Sequence, residues 1–157
     1  MNPGPNKSAN EYLRTKIFTA SPEELRMMLY EGAIKYCRQA KQAISVEEIE
    51  RSYDCLMRVQ KIVMELSTSL KHEVAPELCE KLSALYTYMY RRLIDANLEK
   101  QVQPIDEVLK LLEYQKETWH MLMEKTAAES MDDAKQVDQL NISTAQQTAI
   151  NSLSVDG

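Results

Sequence analysis

The residues of this chain best suited to chemistry are two histidines and three cysteines. Glu117 and His120 stand in the run Glu-Thr-Trp-His, and Glu-x-x-His on a helix is half of the di-iron carboxylate site of helical bundles. That site needs a second Glu-x-x-His, but Ser69 stands three residues before the other histidine, His72. The sequence therefore favours a solvated His120 and predicts no metal and no cofactor.

Other catalytic arrangements are equally poorly supported. A phosphorelay histidine needs an exposed mid-helix position, whereas His72 lies at the end of a predicted helix. With only three glycines the chain has no glycine-rich phosphate loop. A serine or cysteine nucleophile would need a histidine base, and both histidines lie at the edge of the apolar pattern. We interpret the protein as one that is not an enzyme.

The cysteines are widely separated and lack the Cys-x-x-Cys spacing of zinc sites. An odd number of them in a chain without a signal peptide also argues against a disulfide framework. We expect Cys37, Cys55 and Cys79 to be buried thiols that pack as small apolar residues.

Charge and hydropathy exclude further classes of partner. The net charge is -5, whereas nucleic-acid binders usually carry a basic face. No apolar run approaches the ~20 residues that span a bilayer. The first ten residues lack the basic and apolar regions of a signal peptide. These features predict a cytoplasmic protein that binds no nucleic acid and does not insert into a membrane.

Apolar spacing predicts an all-α fold. A short helix over Glu11–Phe18 precedes a first long helix, which Ser21, Pro22 and Glu24 begin with a capping box. Ser45 and Glu48 repeat the capping spacing and predict a second helix over 46–71. Pro76 and Pro104 begin a third and a fourth. Short loops between long helices predict an antiparallel up-down four-helix bundle.

The ends of the chain differ from this pattern in composition. We predict a disordered N-terminus over 1–9, a bundle domain over 10–126, and a polar, flexible tail over 127–157. The short helix of residues 11–18 is too short to persist alone in water and is expected to dock.

Two of the helices carry more apolar surface than one core stripe requires. Met27, Tyr30 and Ile34 lie beside the predicted core stripe of the first long helix, and Tyr86, Tyr90 and Ile94 do so on the third. Two explanations remain open. Either the neighbouring helices cover this surface, or it forms a groove for an amphipathic partner helix.

Ordered motifs across residues 10–125 resemble the flagellin-specific secretion chaperones, the FliS family. The resemblance rests on Tyr12 and Ile17–Leu25, then Met28–Ile34, Ile62–Leu66 with Leu70, Leu82–Met89, Arg92-Leu93, Ala96-Asn97, and Val108 and Leu112 leading to Trp119. It implies a chaperone that binds the disordered C-terminal segment of flagellin in the cytosol. It also implies that binding prevents premature polymerisation and assists delivery to the flagellar export apparatus.

The candidate partner-binding residues combine the surplus apolar positions with the family signature. They are Tyr12, Ile17, Met27, Tyr30, Ile34, Tyr86, Tyr90 and Ile94. The resemblance further implies that the segment containing Tyr12 and Ile17 covers part of the binding surface and moves aside. A homodimer is left open, and the alternative function is a helical adaptor or regulator for another amphipathic partner.

Overall fold

The computed structural model describes residues 5–140, and all regular structure in that part is helical. The helices are α1 (Pro5–Thr19), α2 (Pro22–Ser45), α3 (Ile49–Thr68), α4 (Pro76–Glu99) and α5 (Gln103–Leu140). Residues up to Trp119 form one compact unit, and those from His120 belong to a second. Within residues 5–140, no helix has the length and apolar character that crossing a membrane would require.

The predicted capping box begins α2. Glu24 N–H donates to Ser21 Oγ at 3.1 Å, and Ser21 N–H donates to Glu24 Oε2 at 3.2 Å. Two helix-start donors are thereby satisfied reciprocally, with Pro22 at a position where a missing N–H costs nothing. The first long helix therefore begins where its sequence predicts.

The second predicted capping box does not form. Ser45 is the last residue of α2, its hydroxyl donates to Gln42 O at 2.7 Å, and α3 begins only at Ile49. Glu47 takes a left-handed conformation with φ 60°, and Glu48 precedes α3 without a side-chain cap. The prediction of a helix start at Val46 is wrong because Ser45 closes the preceding helix.

Contacts between helices run in opposite order along α2 and α3. Cys55 Sγ lies 3.8 Å from Gln39 Oε1, and Arg58 donates to the Tyr36 hydroxyl at 2.8 Å. Arg26, near the start of α2, donates to Ser69 just after α3. The first residues of α3 therefore lie beside the last turns of α2.

α5 contacts both α2 and α4. Arg38 of α2 pairs with Glu113 at 2.7 Å, and Trp119 Nε1 donates to Glu23 O at 3.0 Å. Arg92 of α4 pairs with Glu107 at 3.0 Å. The part of α5 up to Trp119 is thus held by α2 on one flank and by α4 on the other.

The core draws on all four long helices. Its fully buried large side chains include Leu56, Val59, Val63, Leu66, Tyr86, Met89, Leu93, Ile105, Val108 and Leu112. On α3, α4 and α5 these side chains recur every three or four residues, the spacing of one buried helix face. Ile49, Leu78 and Leu122 fit the same spacing and the sequence predicts them in the core, but each side chain is exposed.

α1 does not dock as predicted. It begins at Pro5, earlier than the predicted start at Glu11, and residues 7–19 are exposed throughout. Phe18 is 81% exposed and Tyr12 71%. At the other end, α5 is helical through Leu140 and so extends into the segment 127–157 that was predicted to be a flexible tail. The predictions of disorder over 1–4 and of a flexible tail over 141–157 concern residues outside the described part of the chain.

Gly32 in the middle of α2 does not mark a close approach. A Cβ at this position would lie 3.5 Å from Ile62 Cδ1, an ordinary van der Waals contact. We expect Gly32→Ala to raise the free energy of unfolding by about 0.5–1 kcal/mol, because alanine loses less backbone entropy in a helix. Urea unfolding measures this change. A destabilised variant would show that the added methyl group clashes with the Ile62 side chain.

Candidate functional site

Three of the eight candidate residues lie in the core, not on a surface. Tyr30 is 3% exposed, Ile34 5%, and Tyr86 is fully buried. The interpretation of Tyr30 and Ile34 as an outward face of α2 is wrong. The core stripe of α2 is rotated toward them and away from Leu25, which is exposed.

An arginine ties the two buried tyrosines to neighbouring helices. Arg26 donates to the hydroxyls of Tyr30 at 3.1 Å and Tyr86 at 2.9 Å, and these hydroxyls lie 3.2 Å apart. Its guanidinium also lies 5.4 Å from the ring centre of Trp119. Burial raises the pKa of Tyr86 well above its usual range, so its hydroxyl stays protonated and able to donate.

The other candidates lie in separate places. Met27 is half-buried, three helical turns before Arg38 and therefore on the flank of α2 that meets α5. Tyr12 and Ile17 lie on the exposed α1. Tyr90 is half-buried and Ile94 exposed, one turn apart on α4. Among the candidates on the long helices, Tyr90 and Ile94 share one surface.

That surface faces α3. On α4, Tyr88, Arg92 and Asp95 form the flank of the Glu107 network beside α5, so Tyr90 and Ile94 lie on the opposite flank. On α3, Cys55, Arg58 and Ile62 face α2. The opposite flank of α3, toward α4, carries Ile49, Tyr53, Met57 and Met64 at helical spacing.

We call this surface the α3–α4 groove. It comprises Ile49, Tyr53, Met57 and Met64 of α3 with Tyr90 and Ile94 of α4. Its side chains are exposed, except for the half-buried Met57 and Tyr90. The α3 side of the groove was not predicted, because Ile49 fits the helical spacing of the buried residues of α3. The signal was present in the spacing of Tyr53, Met57 and Met64.

Polar bridges cross the outer surface at the three other junctions. Arg38–Glu113 and Lys41–Asp106 join α2 to α5, and Arg58 joins α3 to α2. Glu107 joins α5 to α4, where the hydrogen bond from Tyr88 and the pairing with Arg92 lower its pKa. Among residues 5–140, no side-chain hydrogen bond or ion pair joins α3 to α4. The groove is therefore the junction whose outer surface is left apolar.

One end of the groove is acidic. Glu48, Glu50 and Asp54 line a shallow recess together with Ile49 and Arg51. Arg51 pairs with Glu48 at 3.2 Å, so Glu50 and Asp54 keep an uncompensated negative charge beside the exposed Ile49 and Tyr53. A ligand for this end would combine apolar and basic side chains.

The residues suited to chemistry form no site. His120 is exposed and pairs with Glu124 Oε1 at 3.1 Å, as expected of a solvated residue. Over the described part of the chain, no three of the His, Cys, Asp and Glu side chains are grouped as metal ligation requires. The three cysteines are free and buried, as predicted.

Cys37 is expected to resist alkylation in the native protein. Burial, and to a lesser degree the charge of Glu113, raise the pKa of Cys37 to about 12, so the thiolate is scarce at neutral pH. Because folding keeps this thiol protonated, its contribution to stability is lost as pH rises from the ordinary thiol pKa of about 8.5 toward about 12. Mass spectrometry after iodoacetamide treatment at pH 8, with and without urea, checks this. Rapid labelling without urea would contradict it.

Comparison with known proteins places this chain among chaperones. The family model described as flagellar protein FliS matches residues 5–126. A flagellar secretion chaperone FliS from Bacillus subtilis is 39% identical over 62% of this chain and 71% of the relative. One from Campylobacter jejuni is 36% identical over 73% of this chain and 89% of the relative.

A solved structure supports the fold. The chain described as a crystal structure of flagellar chaperone from bacteria aligns with a TM-score of 0.63 at 18% identity, covering 76% of this chain and 98% of that chain. At this identity the likeness bears on the fold alone, whereas the sequence matches bear on the family. The chain belongs to the FliS family of flagellar secretion chaperones, and it is not an enzyme.

Proposed function

We propose that the α3–α4 groove binds the disordered C-terminal segment of flagellin in the cytoplasm. Binding would cover the segment, prevent premature polymerisation and assist delivery to the flagellar export apparatus. The observation that carries this proposal is the apolar outer surface of the α3–α4 junction, which lacks the bridges found at the other three junctions. The names of the relatives supply the flagellar context.

The architecture suits a rigid scaffold for a folding guest. We propose that α2, α3, α4 and the first part of α5 form an antiparallel four-helix bundle. The α3–α4 groove then runs along the outer surface between two adjacent helices of this bundle. Opposed contact order along α2 and α3, and along α2 and α5, supports this arrangement. A flagellin helix lying in the α3–α4 groove would place a side chain every three or four residues against Tyr53, Tyr90 and Ile94.

The energetics favour a guest with several apolar anchors. Ordering a disordered segment costs about 2–5 kcal/mol, and each well-buried aliphatic or aromatic side chain returns about 1.5–3 kcal/mol. Three or four anchors are therefore enough to offset the ordering cost. Methionine and tyrosine suit the surface because Met57 and Met64 adapt to shape, and Tyr53 and Tyr90 combine apolar area with a polar tip.

Titration calorimetry of the full chain with a peptide from the C-terminal segment of the host's flagellin tests the proposal. Binding with a negative heat-capacity change, accompanied by a gain of helical circular dichroism, is the expected result. A peptide of the same composition in scrambled order is the control. No binding to the native peptide, or equal binding to the scrambled one, would contradict the proposal.

The second candidate is a helical adaptor for another amphipathic partner. It is favoured by α5, which continues as a helix to Leu140 although the family match ends at residue 126. Residues 127–134 are exposed, so this extension offers surface that the family match does not include. If the protein does not bind the flagellin peptide but binds another protein from the same cells, the adaptor function is favoured.

A further inference from the structure

We propose that Gln60 of α3 selects the segment that lies in the α3–α4 groove, by pairing its side-chain amide with the amide of one asparagine or glutamine of that segment. This role rests on the proposed function, and it adds a polar feature to the apolar area that the groove would recognise. Binding of a flagellin peptide and the dependence of that binding on Gln60 are separate measurements, so the role of Gln60 can fail while the proposed function stands.

Gln60 belongs to the flank of α3 that faces α4. It lies two residues from Arg58 and two from Ile62, both of which lie against α2. Because two residues turn a helix by about 200°, Gln60 is directed away from α2. It also follows Met57 by three positions and precedes Met64 by four, which is the spacing of one helix face. Gln60 therefore lies along the groove, between these two methionines.

Gln60 is almost completely buried, whereas most residues of the groove are exposed. Only 4% of its surface is accessible, so it forms part of the floor of the groove and not its rim. Buried polar side chains are normally hydrogen-bonded. The other buried polar residue of α3, Ser52, follows this rule, since its hydroxyl donates to Ile49 O at 2.7 Å.

The amide of Gln60 has no such partner. Across residues 7–134, whose side chains the structure describes, no group forms a hydrogen bond with it. In this part of the chain, the polar atoms that are sealed from solvent without a partner are the amide nitrogen and oxygen of Gln115. The accessible part of Gln60 therefore includes its amide, which opens into the groove. A guest that covered the floor with apolar side chains alone would leave this amide without water and without a partner.

The chemistry of the amide defines the group that complements it. A glutamine amide both donates and accepts, so an asparagine or glutamine of the guest can form two reciprocal hydrogen bonds with it. A charged side chain would have to give up its water at an almost completely buried site, which is costly. Because Met57 and Met64 lie about one helical turn to either side of Gln60, we expect apolar guest residues about one turn before and after the guest amide.

Titration calorimetry of the full chain with a peptide from the C-terminal segment of the host's flagellin tests this role. Gln60→Met keeps the length of the side chain and removes its amide, and it is expected to weaken peptide binding by about tenfold or more. Gln115→Met is the matched control, because Gln115 is also a glutamine without a partner but lies on α5, outside the groove. Its affinity for the peptide is expected to equal that of the unaltered chain.

The outcomes separate this role from the proposed function. Equal affinities of the Gln60→Met and Gln115→Met chains, both folded by circular dichroism, would overturn the role of Gln60 and leave the proposed function standing. No binding of the peptide to the unaltered chain would overturn both.

Substitutions in the peptide identify the partner amide and do not depend on the folding of a variant. Each asparagine and glutamine of the peptide is replaced singly by leucine, and one replacement is expected to weaken binding to the unaltered chain by about tenfold or more. That replacement is expected not to weaken binding to the Gln60→Met chain any further, because the hydrogen bonds are already lost there. Equal weakening with both chains, or no weakening by any replacement, would overturn the pairing.

Discussion

Ile34→Asp is expected to lower the free energy of unfolding by about 4 kcal/mol or more, a large part of the roughly 5–15 kcal/mol that keeps a small protein folded. Ile34 is one of the buried core residues, and it packs on α2 within the same cluster as Tyr30 and Cys37. An aspartate there loses the apolar contacts and must either bury a charge or take up a proton. Circular dichroism with urea unfolding measures the effect.

Two companion variants separate burial from helix propensity. Ile34→Val keeps the side chain apolar and is expected to cost only about 0.5–1.5 kcal/mol. Lys35→Asp places the same acid at the adjacent, exposed position of α2 and is expected to leave the fold intact. An Ile34→Asp chain whose free energy of unfolding equals that of Lys35→Asp would return Ile34 to the surface, where the apolar spacing of α2 first placed it.

Arg26→Ala is expected to lower the free energy of unfolding by about 2–4 kcal/mol. Its guanidinium donates to the Tyr30 and Tyr86 hydroxyls and to Ser69, and it stacks near Trp119, so one side chain joins α2, α4, α5 and the end of α3. Removing it leaves two buried hydroxyls with only each other as partners and opens space between the helices. Thermal unfolding of the variant beside the unaltered chain gives the value.

Arg58→Ala is the matched control for Arg26. Arg58 also donates to a tyrosine hydroxyl, Tyr36, and lies 5.1 Å from the centre of its ring, but the contact is exposed. The expected cost is below about 1 kcal/mol. Arg26→Lys is expected to recover little of the loss, since one ammonium cannot reproduce the fork that reaches both hydroxyls. Equal losses in the free energy of unfolding for Arg26→Ala and Arg58→Ala would show that burial does not determine how much an arginine–tyrosine contact stabilises the protein.

The start of α2 could be predicted from the sequence because its capping residues are close together in the chain. Ser21, Pro22 and Glu24 satisfy the end of α2 from within a few residues, so no distant contact was needed. Ser45 and Glu48 have the same spacing, but Ser45 bonds back to Gln42 and ends a helix. A serine can serve either end of a helix, and only the left-handed turn at Glu47 decides between them.

The core face of α2 could not be settled from periodicity. Leu25, Met28 and Leu29 form one apolar stripe, and Tyr30, Ile34 and Cys37 form another. The second stripe is rotated about the helix axis by roughly the 100° that one residue contributes. Both satisfy helical spacing. The choice depends on Arg26 and Tyr86, which hold the Tyr30 hydroxyl inside the protein through contacts between different helices.

The sequence predicted two residues of the proposed groove and missed the others. Tyr90 and Ile94 were predicted beside the core stripe of α4, where Tyr90 is half-buried and Ile94 exposed, and their role in binding stays a prediction. The α3 side of the groove was missed because Ile49 fits the core period. It is exposed because it stands in the first turn of α3, beyond the buried layer that begins at Ser52.

The affinity of a flagellin C-terminal peptide for groove variants tests the central claim most directly. Ile94→Asp is the test variant, and Tyr114→Asp is the control because Tyr114 is 73% exposed on α5 and outside the groove. With both variants folded by circular dichroism, the α3–α4 groove predicts at least a tenfold loss of affinity, or about 1.4 kcal/mol, for Ile94→Asp and no change for Tyr114→Asp. Undiminished affinity of the Ile94→Asp chain would contradict the claim that flagellin binds between α3 and α4.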